Sequence, residues 1–438
     1  MPGINRKPSI VKTESIPPVG SIPDEQLLDE LQRRAVLYFW EAADQHTGLV
    51  KDRACNFGND DYIAASIAAT GYGLAALTIG VERGWLTRAE AETRASDTLR
   101  FLLSMPHEHG WFMHWVDKRN GQRFWSSEYS TIDTALLLAG AIVCREYFSS
   151  NGAADEIELL VDSLYSRVDW RWMLTNDGAK PEKLVFSHGW RPENGFIGYD
   201  YGAYSEAILI YLLGLGAQSD SVPGTAWEAI SRPIQSYKGI ESLKGGPIFI
   251  HQMPSGYFNF RNQRDRLGYD YWVSSTNAMH IHHQFCFDRA AEFKTYAAGF
   301  WGLNASDGPE DYVAYGAIDA PNDGTVSPTG AISSITFVPM LALSAARLLF
   351  ERLQRVLWGR YGFVNAFNLD RDWYARDVIG IDLGMLLLSI ENYRTGLIWT
   401  LMSSFYRTAS ALQAAGFHLT LEPAPRPLFR GPAGPVKG

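Results

Sequence analysis

The sequence predicts an all-α protein in which six inner helices are enclosed by six outer ones. Six stretches are apolar on every face, and a helix of that kind must be buried on every side. Amphipathic stretches alternate with them, at intervals longer than those of common solenoid repeats. An open solenoid would leave the inner helices partly uncovered, so we expect the double ring to close. The apolar stretches are 62–81, 130–144, 203–215, 276–287, 331–349 and 383–402.

The predicted outer helices begin with an amphipathic segment that Asp24 can cap. Apolar and charged residues alternate in the helical period from Leu27 to Trp40. A loop over 46–60 then leads into the first inner helix. The later amphipathic segments are 87–104, 154–167 and the stretch after Pro223.

The segment 245–271 departs from this alternation because it is rich in Gly, Pro and aromatic residues. We predict a large excursion at one end of the barrel, with a short strand at 248–250. Long loops in a compact domain are usually functional. No linker divides the chain, so we expect one domain over 24–420, with an extended arm at 1–23 and a Pro-rich tail at 421–438.

Composition limits the partners that the protein can have. The chain has 438 residues and a formal net charge of −9, which disfavours nucleic acid or an anionic membrane and favours a neutral ligand. The purest apolar run, 135–144, is too short to span a bilayer. The stretch 1–23 has no apolar signal core, which leaves the location open: periplasmic or secreted if a signal has been removed, and otherwise cytoplasmic.

No cofactor or metal is expected from the motifs. The three cysteines form no CxxC pair, and the one histidine cluster lacks a third ligand at a known spacing. The chain has no phosphate-binding loop, dinucleotide-binding glycine pattern or serine-hydrolase elbow. The residues concerned are Cys55, Cys144, Cys286, His280, His282 and His283.

Aromatic residues are abundant, with 14 Trp, 21 Tyr and 22 Phe, and many fall in the predicted loops. Such side chains either plug the ends of the barrel or offer a ligand a flat apolar face with a polar edge. The candidates for ligand contact are Trp125, Trp190, Tyr199, Tyr257 and Tyr269, together with Arg261.

Carboxylates stand at the openings of two apolar stretches. Asp133 follows Ser130 by three residues, as in a capping box, and this role alone would explain it. Glu128 precedes the cap among aromatic residues, and a turn at Ser130 would bring both carboxylates to the barrel mouth. Glu206 opens the next apolar helix, where its charge would suit the helix end. Burial would instead raise its pKa, so we prefer Glu206 as a general acid.

The last apolar stretch carries two more candidates for ligand contact, Asp382 and Glu391. Asp382 can also serve as a helix cap. Glu391 and Arg394 are three residues apart and can pair on one helix face, which is the common reason for opposite charges within an apolar helix. We therefore expect a structural ion pair there.

Short segments over nearly the whole chain carry a resemblance to a known family. They are 37–40, 48–50, 132–135, 198–200, 205–207, 301–303, 312–316, 323–328, 361–363, 380–384 and 391–394. In this order they resemble the glycoamylase-like bacterial family, of the glycoside hydrolase family 144 type. That family includes endo-β-1,2-glucanases and has an (α/α)6 barrel. One departure is the run 254–261, where relatives carry a Ser-His-x-Trp-x-Asp-Phe-Arg-like sequence.

The resemblance implies a glycoside hydrolase that acts on a β-glucan, foremost a β-1,2-linked one, with inversion and without a metal. It implies Glu206 as the acid and either Glu128 or Asp133 as the base. The alternatives are an α-glucan exo-hydrolase of glucoamylase type or a transglycosylase on the same barrel. A carbohydrate-binding scaffold without catalysis is the alternative of another class.

Overall fold

The computed structural model describes residues 22–149, 156–175, 184–219 and 221–420. The predicted tail and all but two residues of the predicted arm lie outside these ranges. The helices are α1 (Asp24–Glu41), α2 (Ile67–Glu82), α3 (Arg88–Ser104), α4 (Thr131–Phe148), α5 (Glu156–Ser166), α6 (Trp170–Thr175), α7 (Ile208–Gly216), α8 (Gly224–Ala229), α9 (Phe249–Tyr257), α10 (Tyr271–Asp288), α11 (Lys294–Ala297), α12 (Pro328–Ile332), α13 (Pro339–Leu357), α14 (Gly380–Arg394), α15 (Leu397–Ser404) and α16 (Tyr406–Ala414).

The inner ring consists of α2, α4, α7, α9, α12 and α14, in that order, and α14 packs back against α2. Nearly every residue of these helices is buried, as their apolar composition requires. Helices α1, α3, α5, α16, α10 and α13 cover the ring from outside. Among the described residues, no helix combines the length and apolarity needed to cross a membrane.

Helices α2 and α4 pack with their backbones in direct contact. A Cβ atom at Gly140 would lie 1.9 Å from the carbonyl oxygen of Gly71. Any larger residue at either position would force the helices apart. Gly384 of α14 similarly leaves room for the ring of Tyr72, which a Cβ atom there would approach to 2.2 Å.

Short antiparallel strands tie the loops together at one end of the ring. Strands β2, β4 and β16 each end where α2, α4 or α14 begins, and they pair with β3, β5 and β1. This end, where these inner helices begin, is called the upper rim below. The strands are β1 (Arg53–Cys55), β2 (Ala64–Ser66), β3 (Trp115–Asp117), β4 (Tyr129–Ser130), β5 (Gly189–Arg191), β6 (Gly195–Phe196), β7 (Ile234–Tyr237), β8 (Ile240–Leu243), β9 (Gln263–Arg264), β10 (Ala305–Asp307), β11 (Tyr312–Ala314), β12 (Trp358–Gly359), β13 (Gly362–Phe363), β14 (Phe367–Asn368), β15 (Trp373–Tyr374), β16 (Asp377–Ile379) and β17 (His418–Leu419).

The fourth inner helix is α9, so the assignment of 276–287 to the inner ring is wrong. That stretch belongs to α10, which packs outside α9 and leaves Phe287 68% exposed. The predicted strand at 248–250 is also wrong, since α9 begins at Phe249. Buried His251 and Gln252 and an internal Pro254 interrupt the apolar pattern of α9, and so the sequence conceals it.

Two other predicted inner helices are too long, because each covers part of an inner helix and part of the helix that follows it. The stretch 331–349 covers the end of α12, a 3-10 turn at 333–336 and the amphipathic outer helix α13, whose Met340 is exposed. The stretch 383–402 covers α14 and α15, which are separated at Gly396 by a residue with φ of +71°. Glycine adopts this left-handed conformation without strain.

Candidate active site

Carboxyl groups from three inner helices or the turns before them meet at the upper rim. Asp133 lies in the first turn of α4 and Asp382 in the first turn of α14. Glu128 immediately precedes β4, and Glu206 lies in the turn before α7. The predicted first-turn position of Glu206 is wrong because α7 begins only at Ile208.

Glu206 is a half-buried carboxyl group whose pKa burial raises to about 7. Hydrogen bonds from its own backbone and from the Tyr201 hydroxyl oppose this rise, while the negative charge of Asp133 adds to it. A carboxylic acid of this kind keeps its proton near neutral pH and can donate it.

The capping box predicted at Asp133 is only half formed, because the Ser130 backbone N–H donates to the carbonyl oxygen of Phe112 and not to the Asp133 carboxylate. Ser130 is the N-cap of α4, and its hydroxyl oxygen accepts a hydrogen bond from the Asp133 backbone N–H at 3.3 Å. The same hydroxyl donates to Asp133 Oδ2 at 2.6 Å. Burial raises the pKa of Asp133, as do the charges of Glu128 and Asp52, whereas His114 and Ser130 oppose the rise. Ser130 thus caps α4, and its backbone N–H does not engage the Asp133 carboxylate.

Glu128 lies in a different electrostatic environment. Burial alone would raise its pKa, but the hydrogen bond with His114 and the charges of His114 and Arg191 lower it to about 2. The Nδ1 atom of His114 is 3.1 Å from Glu128 Oε1, and Arg191 is 3.5 Å from Oε2. Glu128 is therefore a permanent anion at neutral pH.

His114 is a site residue that the sequence reasoning missed. Its Nε2 atom lies 3.5 Å from Asp133 Oδ1, so the imidazole stands between Glu128 and Asp133. The ring stacks on Trp115, with centroids 3.5 Å apart and planes inclined by 14°. The only available signal was its position among aromatic residues just before β3.

Asp382 is buried at the upper rim beside further charged residues that the sequence reasoning also missed. Burial raises its pKa to about 8, and the charge of Asp307 adds to the rise. The amide of Asn365 donates a hydrogen bond to Asp382 Oδ2. Arg53 pairs with Asp307 at 3.2 Å and lies 3.6 Å from Asp52.

The loop aromatics near Glu128 are accessible at the same rim. Trp125 is 65% exposed and packs edge-on against Trp115. Trp190, on β5, is half-buried and lies directly across the β4–β5 pair from Tyr129. Tyr199 is exposed, in the loop before Glu206. These three side chains are placed where a ligand could reach them.

An open cavity of about 650 Å³ adjoins Asp307. Its wall combines six carboxyl groups with four aromatic rings. The rings belong to Tyr62, Tyr312, Trp373 and Tyr374. Among the described residues, no group of three or more His, Cys, Asp or Glu side chains is arranged to hold a metal ion.

Two of the predicted ligand contacts belong to the core or to the opposite end of the barrel. Tyr257 is completely buried and stacks on Tyr72 inside the ring. Arg261 is held between the rings of Trp272 and Trp399, 4.5 Å from each centroid, beyond the C-terminal end of α14. The prediction that these residues line the site is therefore wrong.

Tyr269 and Glu391 are likewise occupied by structural contacts. Tyr269 packs its ring against the Arg232 guanidinium, at 5.6 Å. Glu391 is fully buried near the C-terminal end of α14, away from the upper rim, and accepts hydrogen bonds from Arg83 at 2.8–3.0 Å. The predicted pair with Arg394 is wrong, since Arg394 turns toward Asp29 on α1, at 3.3 Å.

Comparisons with known proteins agree with this architecture. Residues 198–405, which include Glu206 and Asp382, match the glycoamylase family model described as "Putative glucoamylase". A curated relative, the exo β-1,2-glucooligosaccharide sophorohydrolase (non-reducing end) of Parabacteroides distasonis, is 28% identical over 417 residues. The match covers 87% of this chain but only 56% of that protein, so the chain spans little more than half of its length.

Solved structures share the fold over most of the chain. One from Bacteroides uniformis, with the same description as the family model, is 28% identical with a TM-score of 0.84, covering 91% of this chain and 99% of that one. The endo-β-1,2-glucanase of Chitinophaga pinensis, in complex with sophorotriose and glucose, is 24% identical with a TM-score of 0.81 and the same coverages. The predicted (α/α)6 barrel and the resemblance to the glycoamylase-like family are confirmed.

Proposed function

Starting from this resemblance to glycoamylase-like proteins, we propose that the protein is a glycoside hydrolase that cleaves β-1,2-linked glucan with inversion. The observation that carries the proposal is Glu206, a half-buried carboxyl group with a pKa of about 7 at the upper rim. Cleavage of a glycosidic bond needs one carboxylic acid that protonates the leaving oxygen and one carboxylate that activates water.

Asp133 is the carboxylate that best fits the role of base. Its negative charge adds to the rise of the Glu206 pKa, which supports a site that contains both groups. A base is most effective when its pKa lies near the working pH. The pKa of Asp133 is raised by burial, whereas that of Glu128 is about 2, so Glu128 would hold a proton only weakly. Glu128 then serves as a fixed anion beside His114.

The chemistry of the rim and the name of the relative support this choice of substrate. The sophorohydrolase of Parabacteroides distasonis acts, by its name, on β-1,2-glucooligosaccharides. Exposed Trp125 and Tyr199 and the aromatic cavity beside Asp307 offer apolar faces of the kind that sugar rings contact. The net charge of −9 also suits a neutral oligosaccharide.

A direct test is to incubate the purified protein with β-1,2-glucan, starch and other glucans and to follow the products by ¹H NMR. We expect hydrolysis of β-1,2-glucan with the α-anomer as the first product. A β-anomer would contradict inversion, and cleavage of starch alone would favour the glucoamylase-type alternative. No hydrolysis of any glucan would leave the carbohydrate-binding scaffold.

The two base candidates are separated by paired substitutions. Asp133→Asn should lower kcat by about 10²-fold because it removes the base. Glu128→Gln should lower kcat less, since it only weakens the support of His114. Unfolding curves of both variants show whether stability has changed as well. A larger loss of kcat in Glu128→Gln would reverse the assignment.

A further inference from the structure

We propose that His114 is a positioning residue whose positive charge keeps Asp133 ionised beside the protonated Glu206. The inference rests on the proposed function and deepens it, because it identifies what makes one buried carboxyl group the base and the other the acid.

The geometry around His114 is fixed from three sides. Glu128 contacts Nδ1 at 3.1 Å, Asp133 faces Nε2 at 3.5 Å, and the indole of Trp115 covers one ring face. Trp115 is itself held by a hydrogen bond from Nε1 to Asp52 Oδ1 at 3.1 Å. Both ring nitrogens thus face carboxylates, an arrangement that suits a doubly protonated imidazolium.

The charges near His114 favour its protonated form. Carboxylates reach it from α4, from the residue before β4 and from the residue before β1: Asp133, Glu128 and Asp52. Arg191 on β5 lies close to Oε2 of Glu128, the oxygen that does not face His114. Burial would lower the pKa of His114, but the three carboxylates outweigh burial and raise it.

Without a nearby cation, Glu206 and Asp133 would both favour the protonated form, and neither would be set apart as the base. Burial raises the pKa of both Glu206 and Asp133, and the charge of Asp133 raises the pKa of Glu206 further. Within the described residues, His114 is the only basic side chain with a nitrogen within 4.0 Å of an Asp133 oxygen. The positive charge of His114 therefore favours the ionised form of Asp133, so that Asp133 can lose its proton while Glu206 keeps one.

The test is the pH dependence of kcat/KM on β-1,2-glucan for the parent and His114→Gln. An opposite charge at this distance shifts a carboxyl pKa by at least about one unit, so the acid limb should move up by about one pH unit. Below that limb, kcat/KM should fall about tenfold. The loss should shrink as pH rises, because Asp133 then ionises without help. His114→Lys, which keeps a cation, should leave the acid limb near that of the parent.

His109 provides a matched control. It also stacks on a tryptophan, Trp172, and faces two carboxylates, Glu108 and Asp169, at 3.7 and 3.6 Å, but it is 44% exposed. His109→Gln should leave both limbs of the profile unchanged. If His114→Gln lowers kcat/KM equally at every pH, or not at all, the proposal is wrong.

A ¹³C NMR titration of the Asp133 carboxyl group, assigned with Asp133→Asn, tests the inference without turnover. We expect its pKa to be higher in His114→Gln than in the parent. An equal pKa in both proteins would overturn the proposal. Failure of the parent to hydrolyse any glucan would instead count against the proposed function, and the titration would still decide the role of His114.

Discussion

The two carboxyl groups of α14 show how the two ends of the barrel differ. Asp382, at the upper rim, is 3% exposed, and its one side-chain hydrogen bond to a described residue comes from the neutral amide of Asn365. Glu391, nine residues further along, is fully buried but accepts bonds from Arg83, Gln32 and Thr395. Burial is common to both. A directly bound cation makes Glu391 structural, and its absence leaves Asp382 with a raised pKa.

Glu206, which also lies at the upper rim, resembles Asp382 rather than Glu391. Its side-chain hydrogen bond comes from the Tyr201 hydroxyl, and its pKa is raised to about 7. Carboxyl groups that are buried without a cation are those that can hold a proton at neutral pH and release it during a reaction. We therefore expect the carboxyl groups buried without a bound cation to carry out chemistry, and the one bound to Arg83 to hold the barrel together.

The largest expected effect is on catalysis at the rim. Glu206→Gln keeps the shape of the side chain but removes the proton to be donated, so kcat/KM should fall by about 10³-fold. The midpoint of thermal unfolding should stay unchanged. Glu193→Gln is the matched control, because Glu193 is a 55% exposed carboxylate of the neighbouring β5–β6 loop, paired with Arg123. Full activity of Glu206→Gln would show that the acid has been misassigned.

The next effect is on stability at the opposite end. Glu391→Gln removes the carboxylate that Arg83 binds, and breaking a buried pair costs about 3–5 kcal/mol. Denaturant unfolding should show this loss, while kcat per folded molecule stays near that of the parent. An unchanged free energy of unfolding would show that Glu391 does not stabilise the fold, and it would contradict the contrast drawn between Glu391 and Asp382.

A further effect on stability concerns Asp382 and depends on pH. An unfolded Asp has a pKa of about 3.9, and the folded value is about 8. As pH rises between these values, the unfolded state loses this proton before the folded state does. The contribution of Asp382 to the free energy of unfolding therefore declines over this range. In Asp382→Asn the free energy of unfolding should decline less over this range. A parent and variant with parallel profiles would contradict the raised pKa.

The smallest effect is the change in oligosaccharide binding on loss of Trp125, and Trp399 serves as its structural control. Trp125→Ala at the rim should weaken oligosaccharide binding by a few-fold, about 0.5–1.5 kcal/mol, with little change in unfolding. Trp399→Ala, 5% exposed against Arg261, should instead destabilise the fold by about 3–5 kcal/mol and leave binding unchanged. Calorimetry with a β-1,2-glucooligosaccharide and thermal unfolding distinguish the two, and the reverse pattern would assign Trp125 to the core.

The sequence predicts best the features that depend on local pattern. Continuous apolarity identifies α2, α4 and α14, and the Ser130–Asp133 spacing identifies the cap of α4. The sequence pattern does not predict helix α9, because buried His251, Gln252 and Pro254 interrupt its apolar run. Hydrogen bonds such as the one from Gln252 to Gly330 satisfy these polar groups only once the ring is closed.

The site could be predicted only in part for the same reason. Glu128, Asp133 and Glu206 stand out because they open apolar helices. Their partners are set by tertiary structure: Arg83 reaches Glu391 across 308 positions, whereas Arg394, three residues away, turns elsewhere. His114 meets Asp133 only because β2 pairs with β3 and the loop after β3 returns to α4. No spacing within the sequence encodes these contacts.

The central claim is that Glu206 is protonated near neutral pH because burial is not offset by a cation. A ¹³C NMR titration of its side-chain carboxyl group, assigned with Glu206→Gln, measures this directly. We expect a pKa of about 7. A pKa near 4.5, the value of an ordinary Glu, would contradict it.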